Sequence, residues 1–295
     1  MRILKLDGLR GVFSLMVVFF HYDIRLLPNF LGDNFIIRQS WIFVEFFFVL
    51  SGFLIANNYY NIITFKHLKI FIYKRFIRLY PLLLFSTLIF LFSKVFFNSF
   101  FQNHINSPES ISSLIYKTID TLFLTNSTPF FGNSHGMNGP SWSISSEMIS
   151  YLIFGIIIYI SKPKYRLWIF GFIIILSGLL QVIFKDLDLD FSFLRGTLSF
   201  SLGVLLYKIN LIKLNVSNYF ELMIPLIVLY FMYFINSDSS QNIFYRIVII
   251  NLVFFFSIFI LLKTNGIISI ILEKTFFQFL GRISYSIYLN HLIVI

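Results

Sequence analysis

Long apolar runs separated by short polar breaks dominate the pattern of this chain. Stretches close to the length of a membrane span occur at 9–27, 41–59, 79–101, 142–161, 167–184, 191–207, 219–235 and 243–262, and a last one begins near 283. About 20 residues at a rise of about 1.5 Å match a hydrocarbon core of about 30 Å, so each reads as a transmembrane helix. The segment 114–125 is shorter, holds Lys117 and Asp120, and leads into 126–140, which is rich in Asn, Ser, Gly and Pro. It reads as interfacial or re-entrant rather than spanning. The pattern predicts an all-α, polytopic transmembrane helical bundle of about nine spans plus this segment, in one integral membrane domain over 1–295.

Composition changes the picture in three ways. Hydrophobic residues make up 58% of the chain and charged residues 12%, with 41 Phe, whereas soluble domains are about 25% charged, so a soluble fold is excluded. Cysteine is absent and the five His show no HExxH pairing, so no disulfide framework, thiol nucleophile or metal site is expected. The net charge of +10 marks the cytoplasmic face of a membrane protein and an anionic ligand rather than nucleic acid. With the N-terminus inside, the inner segments collect Arg2, Lys5, Arg10, Lys66, Lys69, Lys74, Arg75, Arg78, Lys162, Lys164, Arg166, Lys208, Lys213, Lys263, Lys274 and Arg282, against Asp7, Glu221 and Glu273. The outer loops and membrane interior keep most of the acids, including Asp186, Asp188 and Asp190. Counting 114–125 as a crossing would put Lys162, Lys164 and Arg166 outside, against the positive-inside rule. No internal repeat, coiled-coil heptad or cleavable signal peptide is visible.

Ionisable residues inside apolar helices are the candidates for chemistry, because each is costly there. Arg10 and His21 are 11 residues apart, which at about 100° per residue returns His21 to within roughly 20° of the face of Arg10 and about 16 Å along the axis. This stripe places Arg10 near the membrane surface and His21 near the midplane. Glu45 stands among aromatics in the second helix, paired with His or Arg or satisfied by a neighbouring helix, and Ser51 and Gly52 permit close packing. Arg75 and Arg78, with Lys74 beside them, share one helix face and suit either phosphate or headgroup binding. Trp142, Ser143 and Glu147 open a helix from the outer side, where serines lacking a GxSxG elbow read as satisfying backbone or carboxylate partners. Arg195 sits in the outer half, with Glu45, Glu147 or Asp190 as possible partners, and His291 lies about two turns into the last span as a structural or site histidine.

Taken together, LDGLRG with Arg10-x10-His21, FFFVLSGFLI at 46–55, Arg75-x-x-Arg78 followed by LYP, WSISSE at 142–147 and SYSIYLNH at 284–291 resemble the membrane-bound acyltransferase-3 family over the whole chain. The resemblance implies a multi-pass enzyme of the bacterial cytoplasmic membrane that moves an acyl group, commonly acetyl from cytosolic acetyl-CoA, to a hydroxyl of an extracytoplasmic carbohydrate. It implies a lipid bilayer, acyl-CoA and a carbohydrate acceptor as partners, leaves a homo-oligomer open, and calls for no metal. The R/K-x10-H and RxxR pairs are the family's essential residues. The expected site is His21 as base, with Arg10, Asp7, Glu45 and Glu147 supporting it and a carboxylate orienting the imidazole. Lys74, Arg75 and Arg78 are expected to hold CoA, and Trp142, Ser143, Arg195 and His291 to meet the acceptor.

Two features depart from the family: Glu45 stands where Asp is commoner, and the chain stops at Ile295, one span short of the pattern, so that it reads as cut short. The competing expectation is a transporter or flippase with His21, Glu45, Glu147 and Arg195 as a proton or substrate path. Against it, no paired halves with matching broken helices are visible.

Overall fold

The computed structural model describes residues 3–22, 28, 32, 34–100, 109–128, 136–186, 191–237 and 243–294. Among the described residues the chain is an all-α helical bundle without strands. Besides the single turn Phe35–Arg38, its α-helices are α1 Leu4–His21, α2 Phe43–Tyr59, α3 Phe65–Phe100, α4 Ile111–Leu122, α5 Ser141–Ile160, α6 Arg166–Asp186, α7 Phe193–Asn210, α8 Met223–Ser237, α9 Ile243–Lys263, the short α10 Ile267–Leu272 and α11 Thr275–Val294. Every apolar stretch of the sequence coincides with one helix. Five segments are long and apolar enough to span: Ser40–Tyr59, Phe65–Phe100, Ser141–Ile160, Arg166–Phe184 and Asn218–Ser237. Burial sorts them, since 72% of the apolar window is buried in the segment containing α2 but 11% in α6. Thus α2 is interior, and α6 turns its side chains outward to lipid.

Small residues set the tightest contacts. A Cβ on Gly52 would strike the backbone of Phe200, and one on Gly203 the backbone of Val49 and Phe53, so α2 and α7 are in near-backbone contact. Glu45 meets Arg195 at one end and Tyr60 meets Tyr207 (5.4 Å) at the other, so the two helices run parallel. Likewise Gly11 and Gly281 leave room for each other's helices, with Asp7 against Gly281 and Leu272 against Gly8, so α1 lies parallel to α11. Without a hydrophobic gradient between helix and lipid, such close approach is what holds spans together.

The ends differ from expectation at both of these helices. α1 begins at Leu4 and stops at His21, and α11 begins at Thr275 rather than near 283. Polar residues extend both helices because they find partners. Lys5, 7% exposed, donates to the Thr264 carbonyl and to Asn265. Glu221, fully buried, accepts from Thr264 (2.8 Å), the Gly266 amide (2.8 Å) and both the amide and hydroxyl of Ser269 (2.9 and 2.6 Å). Both charges, which the sequence pattern places in cytoplasmic loops, are used to tie α1, α9 and α10 together.

The path of α3 fixes the relation of α4 to the bundle. Rings of Phe65 and Tyr159 lie 6.2 Å apart and those of Phe71 and Phe154 5.8 Å apart. At the far end Asn138 donates to Ser86 at 2.7 Å. α3 and α5 are therefore antiparallel, and the segment between them begins and ends on one side. α4 has 12 residues, about 18 Å, too short for a core of about 30 Å. It is capped by Ser110, which accepts from the Ser113 amide, and held to α3 by Glu109, which bonds Lys94 (2.8 Å) and Lys117 (2.5 Å). Partial burial disfavours the Glu109 carboxylate, yet the two ammonium groups hold its carboxyl below the usual range.

Candidate active site

A cavity of about 670 Å³ opens between α1, α2, α3, α5 and α11. Its lining runs along α2 from Tyr59 to Val44, about 22 Å of helix, so it penetrates most of the bundle. Arg75, Arg78 and Tyr59 lie at one end, Ser143, Phe47 and Tyr288 at the other, with Asp7, Arg10, Glu147, Ser284 and Tyr285 between. Arg75 donates to the Tyr59 hydroxyl at 3.2 Å and packs on its ring, while its buried Nε has no partner among the described residues. Arg78 is exposed and forms no hydrogen bond or ion pair among the described residues. Two adjacent guanidiniums with unused donors fit a phosphate-bearing ligand. Lys74 is exposed and lies off the lining.

Deeper in, Glu147 accepts hydrogen bonds from Ser51 (2.6 Å) and from Tyr151, one helical turn on. Arg10 donates to Ser284 (2.9 Å) and to the Gly281 carbonyl (2.8 Å), with Asp7 at 3.7 Å. It clamps α1 to α11 at the cavity wall. The serines of WSISSE behave as expected of structural hydroxyls. Ser143 donates to Pro140, Ser145 to the Leu124 carbonyl and Ser146 to Phe193, while Ser141, just before the motif, receives Asn126.

Beyond Tyr288 stands a pair of imidazoles that the sequence does not link. His21 and His291 have ring centroids 4.8 Å apart, and the His291 ring lies 6.2 Å from that of Tyr288. Each ring is held by its own helix, His21 Nδ1 against the Val17 carbonyl (2.9 Å) and His291 Nδ1 against Tyr288 (2.7 Å). A carbonyl only accepts, so both Nδ1 carry a proton, and in the neutral imidazoles both Nε2 present a lone pair. His21 is exposed and His291 buried, and His291 Nε2 has no partner among the described residues.

This geometry corrects several expectations. His21 is the last residue of α1, about 26 Å of helix from Leu4, and so stands at the far end of that helix. Among the described residues the Val17 carbonyl, and no carboxylate, orients it. His291 is the seventeenth residue of a 20-residue helix rather than two turns into its span. Glu45 binds Arg195, one of the partners that the sequence offered, through Nε at 3.0 Å and Nη2 at 2.5 Å. The guanidinium is flanked by Trp142 (5.0 Å) and Trp41 (5.6 Å), which offsets part of the cost of burying the pair. Trp142, Arg195 and Glu45 lie off the cavity lining. Asp188 and Asp190 are outside the described residues. The sequence offered Ser51 only as a packing residue and gave no role to Tyr151, Tyr285 or Tyr288, although Ser284, Tyr288 and His291 at i, i+4, i+7 form one helical stripe.

Searches among curated proteins and solved structures find no match. The family model described as an acyltransferase domain, that of acyltransferase-3, matches residues 3–295, and the chain therefore belongs to that family of membrane acyltransferases.

Proposed function

We propose that this acyltransferase is an acyl-CoA-dependent O-acyltransferase that takes acetyl from CoA at the basic end of the bundle and delivers it to a hydroxyl of an extracytoplasmic carbohydrate. The observation that carries the reading is the cavity, cationic at Arg75 and Arg78 and ending at Tyr288 beside the His21 and His291 pair. In this reading Arg75 and Arg78 grip phosphate, and Arg10 with Asp7 holds the wall through which the acyl arm passes. Lys74, outside the lining, contributes charge at the mouth. His21 meets the acceptor from the opposite side, where it is exposed. Its Nε2 removes the hydroxyl proton as general base, a task suited to an imidazole. Tyr288 swings aside when donor and acceptor are both present. Trp41, Trp142, Ser143 and the Arg195–Glu45 pair supply aromatic and polar surface at the acceptor end.

The test is turnover of acetyl-CoA with free-thiol detection by purified protein in nanodiscs with a polysaccharide acceptor. Wild type should transfer acetyl, and His21→Ala should lose roughly 100- to 10,000-fold in rate while still binding CoA. Near-normal transfer by that variant removes His21 from the chemistry.

A further inference from the structure

A buried lone pair without a donor is a cost that folded proteins rarely leave standing, and among the described residues nothing donates to His291 Nε2. Its surroundings say which donor it awaits. The ring is 6% exposed, its Nδ1 proton is committed to the Tyr288 carbonyl, and the neighbouring ring is His21. His21 in its resting tautomer has no N–H left to offer, since its one proton is on Nδ1, against Val17. It gains a second N–H only when Nε2 takes up a proton.

We propose that His291 is the positioning residue for the proton that His21 acquires during transfer, its Nε2 accepting from the new Nε2–H of His21. The acceptor oxygen bonds to the thioester carbonyl carbon and its proton passes to His21 Nε2. The new imidazolium N–H is shared between the acceptor oxygen and His291 Nε2 until the C–S bond breaks, and the proton then goes to the departing thiolate. Products are the ester and free CoA thiol, and both imidazoles end neutral.

Among the described residues the titratable groups around the pair are few. Glu45 and Arg195, bound to each other, and Glu147 lie within electrostatic reach of Tyr288 from α2, α7 and α5. Glu147 and Arg78 of α3 lie near Tyr285, and His21 of α1 is the titratable group that acts on His291 itself.

The proposal rests on His21 being the base, and the variants separate the two ideas. His291→Asn keeps an amide N–H for the Tyr288 carbonyl and deletes the Nε2 lone pair. It should lower kcat about 10- to 100-fold, the worth of a hydrogen bond to a charged group. CoA affinity should stay unchanged, and the acid limb of the pH–activity profile should be displaced by half a unit or more. His291→Gln, which returns an acceptor oxygen near the Nε2 position, should recover part of the rate. Wild-type kcat and profile in His291→Asn would overturn the proposal and leave the bond to Tyr288 as its whole role. If His291→Asn no longer binds CoA, the profile of His291→Gln decides in the same way. An active His21→Ala would remove the base assignment itself, whereas an inactive one beside a normal His291→Asn would remove only this inference.

Discussion

Arg75 and Arg78 show what spacing tells and what it leaves out. Three residues apart, they were bound to share a helix face, and the structure sets both on the cavity wall. The sequence could not tell that Tyr59 would brace Arg75 by a hydrogen bond and its ring face, because that partner comes from the preceding helix. A braced guanidinium with an unused Nε is a preformed half of a bidentate grip. Replacing either Arg by Lys keeps the charge and loses the fork, so CoA affinity at low salt should fall roughly 5- to 50-fold, in keeping with the loss of a charged hydrogen bond. Unchanged affinity in both variants, by isothermal titration, would mean that these residues only anchor α3 at lipid headgroups. The histidines carry the same lesson further. Arg10 and His21 were legible as one stripe, but His21 meets His291 across two helices 270 residues apart in sequence, a pairing no local pattern encodes.

At the scale of elements, helix positions were legible because each apolar run had the length of a helix. The ends of α1 and α11 were not, because Lys5, Asp7 and Arg10 look like boundary residues until their partners on other elements are known. Nor did sequence separate glycines that pack from those that do not. Gly203 meets the α2 backbone, whereas a Cβ on Gly171 in α6 would meet nothing within 4 Å. Gly203→Leu must push α7 off α2 and should cost several kcal/mol, more than ordinary overpacking of about 1–3 kcal/mol, because backbone cannot repack. Gly171→Ala should be neutral or stabilising by up to about 1 kcal/mol, from helix propensity alone. Thermal unfolding of both variants in the same detergent checks the contrast. Equal melting temperatures would show that the α2–α7 contact is loose.

On the scale of the whole molecule, charge and packing are independent witnesses to topology. The distribution of Lys and Arg argues that 114–125 does not cross, since otherwise Lys162, Lys164 and Arg166 would be carried outward. Packing argues the same without any reference to charge. Phe65 faces Tyr159 and Ser86 faces Asn138, so α3 and α5 are antiparallel neighbours and the chain between them returns to the side it left. Further along, α1 and α11 run parallel, with Gly11 against Gly281 and His21 against His291. That fits seven crossings between them and would fail with eight. A single-cysteine scan in intact cells, with a membrane-impermeant thiol reagent, should therefore label positions in 126–140 from outside and positions in 162–166 only after lysis. The native absence of cysteine makes each introduced thiol the sole target. Outside labelling at 162–166 would invert the second half of the bundle relative to the first. It would also place Glu147 and the Arg195 cage on the donor's side, and the two-sided reaction proposed here would then have no acceptor face.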